Sequence, residues 1–86
     1  MILSNTIKQA SQFLKKHKVS SYELDAEIIL SYLMGVTREF LILNDHLEVS
    51  QKIRKKYNSA IRRRINREPV AYITGKKEFW SQDFIV

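Results

Sequence analysis

The sequence predicts an all-α fold: a small bundle of four helices and a short fifth helical turn, ending in a β-hairpin stub. Three observations predict it. Apolar residues recur at spacings of three and four from Leu3 to Ile65, the period of helices buried on one side. Strong breakers are rare, with two glycines and one proline in 86 residues, and Gly35, Pro69 and Gly75 each fall at the edge of an apolar run. A hydrophobic fraction of 44% beside 28% charged residues is enough to pack the core of one small domain.

Helix one is expected from about Ser4 to His17. Leu3, Ile7, Ala10 and Leu14 form its apolar stripe, Phe13 and His17 stand beside it, and Lys8, Gln12, Lys15 and Lys16 lie toward the opposite face. His17 reads as a helix-end histidine favoured by the dipole. Helix two opens on a capping box, Ser20 with Glu23, flanked by Val19 and Leu24 as a hydrophobic staple. Leu24, Ile28, Ile29, Leu30, Tyr32, Leu33 and Met34 cover nearly every direction except the strip of Glu27 and Ser31, so this helix is expected at the centre. Gly35 ends it in the left-handed position and Val36 folds back on it. Asp25 and Glu27, two residues apart on a helix, point in different directions and read as first-turn acids, not as an acid/base pair.

Thr37 caps a short helix three, Arg38 to about Asn44, with Phe40, Leu41 and Leu43 directed inward. Asn44-Asp45-His46 is a loop, and no serine or cysteine nucleophile accompanies the Asp-His neighbours. Helix four, about Ser50 to Asn66, sets Ile53, Tyr57, Ala60, Ile61 and Ile65 on one face and Lys52, Lys55, Lys56, Arg62 and Arg63 on the other. Arg64 falls near the apolar stripe, where its stem packs while the guanidinium snorkels or meets a carboxylate. After Arg67, Pro69 suits a first helical turn, Val70 to Ile73 forms a short apolar turn, and Gly75 closes it. Glu78-Phe79-Trp80 and Phe84-Ile85-Val86 then read as two arms of a hairpin that stops on apolar residues, as if cut from something longer. The expected buried set is Leu14, Leu24, Ile28, Leu33, Phe40, Leu43, Tyr57 and Ile61.

Composition excludes several functions. With no cysteine and only His17 and His46, neither thiolate catalysis nor a Cys-ligated zinc site is available. Two separated glycines do not build a phosphate-cradling loop. No apolar run approaches a membrane span, and the lysines near the start follow the apolar residues, the reverse of a secretory signal, so a cytoplasmic protein is expected. The net charge of +6 is uneven: residues 1–49 hold five basic and six acidic side chains, residues 50–86 ten and three. This basic half serves either as a solvated face or as a surface that steers an anionic partner. On charge alone the first functional reading is a small basic helical nucleic-acid-binding module, since three consecutive arginines suit phosphates. Against it, no helix-turn-helix pattern is evident and helix four offers few side chains for reading base edges.

The segment from Arg63 to Val86 reads R-R-x-x-x-E-P-V-A-Y-I-x-G-x-x-E-F-W-x-x-x-F-x-V, preceded by Asp25-Ala26-Glu27-Ile28-Ile29-Leu30 and Leu33-Met34-Gly35-Val36-Thr37-Arg38. It resembles the interdomain junction of the HemK/PrmC family, methyltransferases that modify the glutamine of peptide chain release factors. The resemblance is most specific over residues 63–86 and extends over the whole chain. It implies a helical N-terminal substrate-recognition domain over residues 1–75 and the start of an interdomain hairpin over 76–86, with the catalytic domain outside this chain. The family's S-adenosylmethionine loop and its Asn-Pro-Pro-Tyr motif have no counterpart here, so no catalytic, cofactor-binding or metal residue is assigned. What the resemblance implies instead is a role: docking the release factor so that its Gly-Gly-Gln (GGQ) loop reaches the active site of an S-adenosylmethionine-dependent enzyme. The implied partners are release factors and the protein's own catalytic domain, with nucleic acid secondary and no membrane. Lys52, Lys55, Lys56, Arg62 and Arg63 are the candidate docking residues. Arg67, Glu68, Pro69, Tyr72, Gly75, Glu78 and Phe79 are signature residues expected to fix the turn and hairpin between two domains.

Overall fold

The computed structural model describes residues 1–75, in which α1 (Leu3–Lys16), α2 (Tyr22–Met34), α3 (Arg38–Leu43), α4 (Gln51–Ile65) and α5 (Val70–Thr74) follow one another. The expected hairpin, with Glu78 and Phe79, lies outside the described residues. Helix α2 packs against each of the other four helices, α1 also meets α4, and α4 meets α5. An apolar surface that nearly encircles α2 requires this central place, because no smaller set of neighbours would cover it.

The start of α1 has no side-chain cap at Ile2. Its free N–H groups are met from a distant segment: Leu3 N donates to Leu47 O at 2.7 Å and Ser4 N to Asp45 O at 2.9 Å. Val49 N returns a bond to Met1 O at 3.0 Å, and Ile2 pairs with Glu48 in an isolated antiparallel bridge. The loop before α4 is thereby clamped to the beginning of the chain, and Leu3 and Val49 are buried there.

Two caps stand as the sequence predicts. Thr37 Oγ1 accepts from Phe40 N at 3.1 Å, and Ser50 Oγ accepts from Ile53 N at 3.2 Å. Two differ. The Ser20–Glu23 box does not form: α2 begins at Tyr22, its N-cap is Ser21, and the Ser21 hydroxyl donates to Asp25 Oδ2 at 2.8 Å. Asp25 is buried, and a buried carboxylate needs its acceptor sites filled, so it captures the hydroxyl. Pro69 stands at the N-cap of α5, one position before its first turn, and its carbonyl receives Tyr72 N at 3.0 Å.

The core also departs from the expected set. Leu14, Tyr57 and Ile61 are buried, whereas Ile28, Leu33 and Phe40 are half-buried, Leu24 is exposed and Leu43 is 77% exposed. On α2 the buried strip is Asp25, Ala26, Ile29 and Leu30, one residue on from Leu24 and Ile28 and hence turned by about 100°. Two polar contacts fix that rotation: Asp25 with Arg64, and the Tyr57 hydroxyl donating to Ala26 O at 2.7 Å. Burial, with a smaller contribution from the charge of Glu27, pushes the Tyr57 phenol far above its ordinary pKa, so it stays a donor. Helix α3 is too short to bury three side chains against α2, its main support, and only Leu41 is fully covered.

Candidate docking face

Helix α4 positions the basic residues. Tyr57, Ala60 and Ile61 turn its inner side to the core, and at about 100° per residue Lys52, Lys55, Lys56, Arg62 and Arg63 fall within an arc of about 120° on the outer side. All five are exposed, so the structure brings them together on one surface as the wheel implies. Among the described residues only Arg63 of the five has a carboxylate partner. Its Nε donates to Glu68 Oε1 at 3.1 Å while Nη2 meets Oε2. That hydrogen-bonded pairing holds the Glu68 carboxyl below its usual range and raises the Arg63 guanidinium. The other four project charge without a carboxylate partner among the described residues.

Five of the signature residues, Arg67, Glu68, Pro69, Tyr72 and Gly75, lie among the described residues, at the end of α4 and along α5. Arg67 takes φ 72° at the end of α4 and sends Nη2 to His17 O at 3.0 Å, tying that end to the end of α1. Glu68 holds Arg63, and its carbonyl lies 3.4 Å from Arg64 Nη1. Pro69 and Gly75 delimit α5, and Tyr72 on it is exposed. Arg64 resolves in favour of a carboxylate: its Nε donates to Asp25 Oδ2 at 2.8 Å, with the Asp25 side chain 6% exposed.

One further basic residue of α4 escapes the sequence reading. Arg54 lies in a groove between α1 and α4, with Phe13, Asn58 and Arg62, and its Nε is buried without a hydrogen-bond partner. The available signal is its place on the wheel, at the border between the apolar face of Ile61 and the cation Arg62.

Among the described residues no three His, Asp or Glu side chains form a metal-ligating group, and His46 Nδ1 lies 3.9 Å from Asp45 Oδ1 with both side chains exposed. Gly35 and Gly75, the two glycines of the sequence, both serve as left-handed helix ends, at φ 69° and 73°, so neither belongs to a glycine-rich phosphate-cradling turn. No described helix is long and apolar enough to cross a membrane.

Comparison with known proteins places these features. The family model described as the PrmC N-terminal domain matches residues 5–75. A release factor glutamine methyltransferase of Buchnera aphidicola subsp. Baizongia pistaciae is 42% identical over 86 residues, all of this chain and 31% of its own length. That of Haemophilus influenzae is 37% identical over 67 residues, 78% of this chain and 23% of its own. A bifunctional methyltransferase of Rickettsia felis is 34% identical over 84 residues, 98% of this chain and 16% of its own. The chain thus spans about a third or less of the curated relatives it matches. No solved structure matches it significantly.

Proposed function

The chain belongs to the PrmC N-terminal domain family, and from that premise we propose that it is the release-factor-docking domain of a glutamine methyltransferase. The whole protein is then an S-adenosylmethionine-dependent, cytoplasmic enzyme that methylates the glutamine of the release-factor GGQ motif. The observation that carries the docking role is the outer face of α4, where Lys52, Lys55, Lys56 and Arg62 stand exposed with no carboxylate partner among the described residues.

The physical need for such a face is positional. An amide nitrogen is a weak nucleophile, so methyl transfer depends on holding it in line, and contacts remote from the reacting atoms supply that alignment. A helical bundle suits this because its cations sit on a helix held by a buried tyrosine and a part-buried ion pair, not on a loop. The role of this chain is to bind and orient; methyl transfer belongs to residues outside it.

The test compares kcat/KM of the full-length enzyme for an intact release factor and for a short Gly-Gly-Gln peptide, in wild type and in Lys52→Glu/Lys55→Glu/Arg62→Glu. A loss of about tenfold or more with the intact factor, beside an unchanged peptide rate, is expected. Equal rates on both substrates would leave the face as solvated surface.

A further inference from the structure

The groove between α1 and α4 has a volume of about 270 Å³, enough for one or two side chains. Its walls combine two arginines, Arg54 and Arg62, two primary amides, Gln9 and Asn58, and the apolar side chains of Phe13 and Ile61, with no carboxylate among the described residues that line it. Phe13 is 40% exposed, so its ring is available to a visitor. Arg54 is half-buried, and its Nε is covered without an acceptor. A partly desolvated cation without a counter-charge attracts an anion more strongly than a fully hydrated one.

We propose that this groove is the specificity pocket of the docking face and receives a glutamate side chain of the protein partner between Arg54 and Arg62. The proposal rests on the docking reading above and deepens it. Arginine forks match a carboxylate bidentately, and the amides of Gln9 and Asn58 add neutral donors. The apolar wall favours glutamate over a phosphate group, because the exposed Phe13 ring suits methylenes that phosphate lacks. A polynucleotide backbone needs a row of cations, which this notch does not provide.

The experiment is an NMR titration of the 86-residue chain with an acetylated, amidated hexaglutamate peptide, repeated with a short oligouridylate. Shifts are expected at Phe13, Asn58 and Ile61, lost in Arg54→Met and in Arg62→Met and kept in the control Lys16→Met. The exposed Arg62 serves as the second variant should Arg54→Met lose its fold. Shifts centred on Lys52, Lys55 and Lys56, shifts that survive both variants, or displacement of the peptide by the RNA would overturn the pocket. A second arm measures Kd for an intact release factor, where each variant is expected to weaken binding about tenfold. Peptide bound in the groove without any binding of release factor would keep the pocket and remove the partner. Release factor bound equally by wild type and both variants would do the reverse.

Discussion

Asp25 reads in the sequence as a first-turn acid that complements the helix dipole, and it does stand in the first turn of α2, but facing inward at 4% exposure. There it accepts from Arg64 Nε and from the Ser21 hydroxyl, each at 2.8 Å. Removing one member of a covered ion pair costs more than the pair itself contributes, because the other charge is left desolvated. Asp25→Ala is therefore expected to destabilise the chain by about 3 kcal/mol in urea unfolding, the low end for such pairs because the Arg64 side chain is 20% exposed. A loss below about 0.5 kcal/mol, the range of ordinary surface changes, would mean that the guanidinium turns to water freely. Arg64 was legible as a residue with two options, since an arginine beside an apolar stripe must snorkel or pair. Which option it takes depends on a carboxylate 39 residues away, and no local pattern carries that.

At the scale of the helix, three C-terminal ends share one device. Val19 N bonds to Leu14 O, Val36 N to Ser31 O and Glu68 N to Arg63 O, each accompanied by a bond from the preceding residue to the carbonyl three positions back, which is the Schellman pattern. The left-handed residue is Gly35 in α2 but Lys18 and Arg67 in α1 and α4, at φ 68° and 72°. A side chain with a Cβ is disfavoured there, so Lys18→Gly is expected to stabilise the chain by about 0.5–1 kcal/mol. For a domain of this size that corresponds to a rise of several degrees in Tm, measurable by calorimetry. No change, or a fall, would show that the flexibility glycine adds to the unfolded chain cancels the gain. Gly35 was readable because glycine itself is the signal. At Lys18 and Arg67 no glycine or asparagine marks the left-handed position, which is why their motif is not visible in the sequence. The shift of the α2 cap from Ser20 to Ser21 is a tertiary effect: the local capping-box pattern favours Ser20, and the buried Asp25 draws Ser21 instead.

Across the whole molecule, the helices divide their apolar residues unequally between core and surface. Leu30 is fully buried while Leu43 is 77% exposed, although both lie in apolar runs. Leu30→Ala is expected to cost about 2–5 kcal/mol and Leu43→Ala almost nothing, a contrast that paired urea denaturations would check; comparable losses would put α3 against a surface these residues do not describe. The sequence by itself determined the five helices, most of their ends, the central place of α2 and the single basic side of α4, because each follows from local period, from capping residues or from charge placed on a wheel. The candidate docking residues were legible for the same reason. Only the tertiary structure decided the rotation of α2, the pairing of Arg64 with Asp25, the clamp between Leu3 and Leu47, and the groove that joins Arg54 to Phe13. Each of these is a contact between distant segments. A helix apolar on almost every side has no preferred phase of its own, so the few buried polar groups that must find partners set it, and they do so only once the chain has closed.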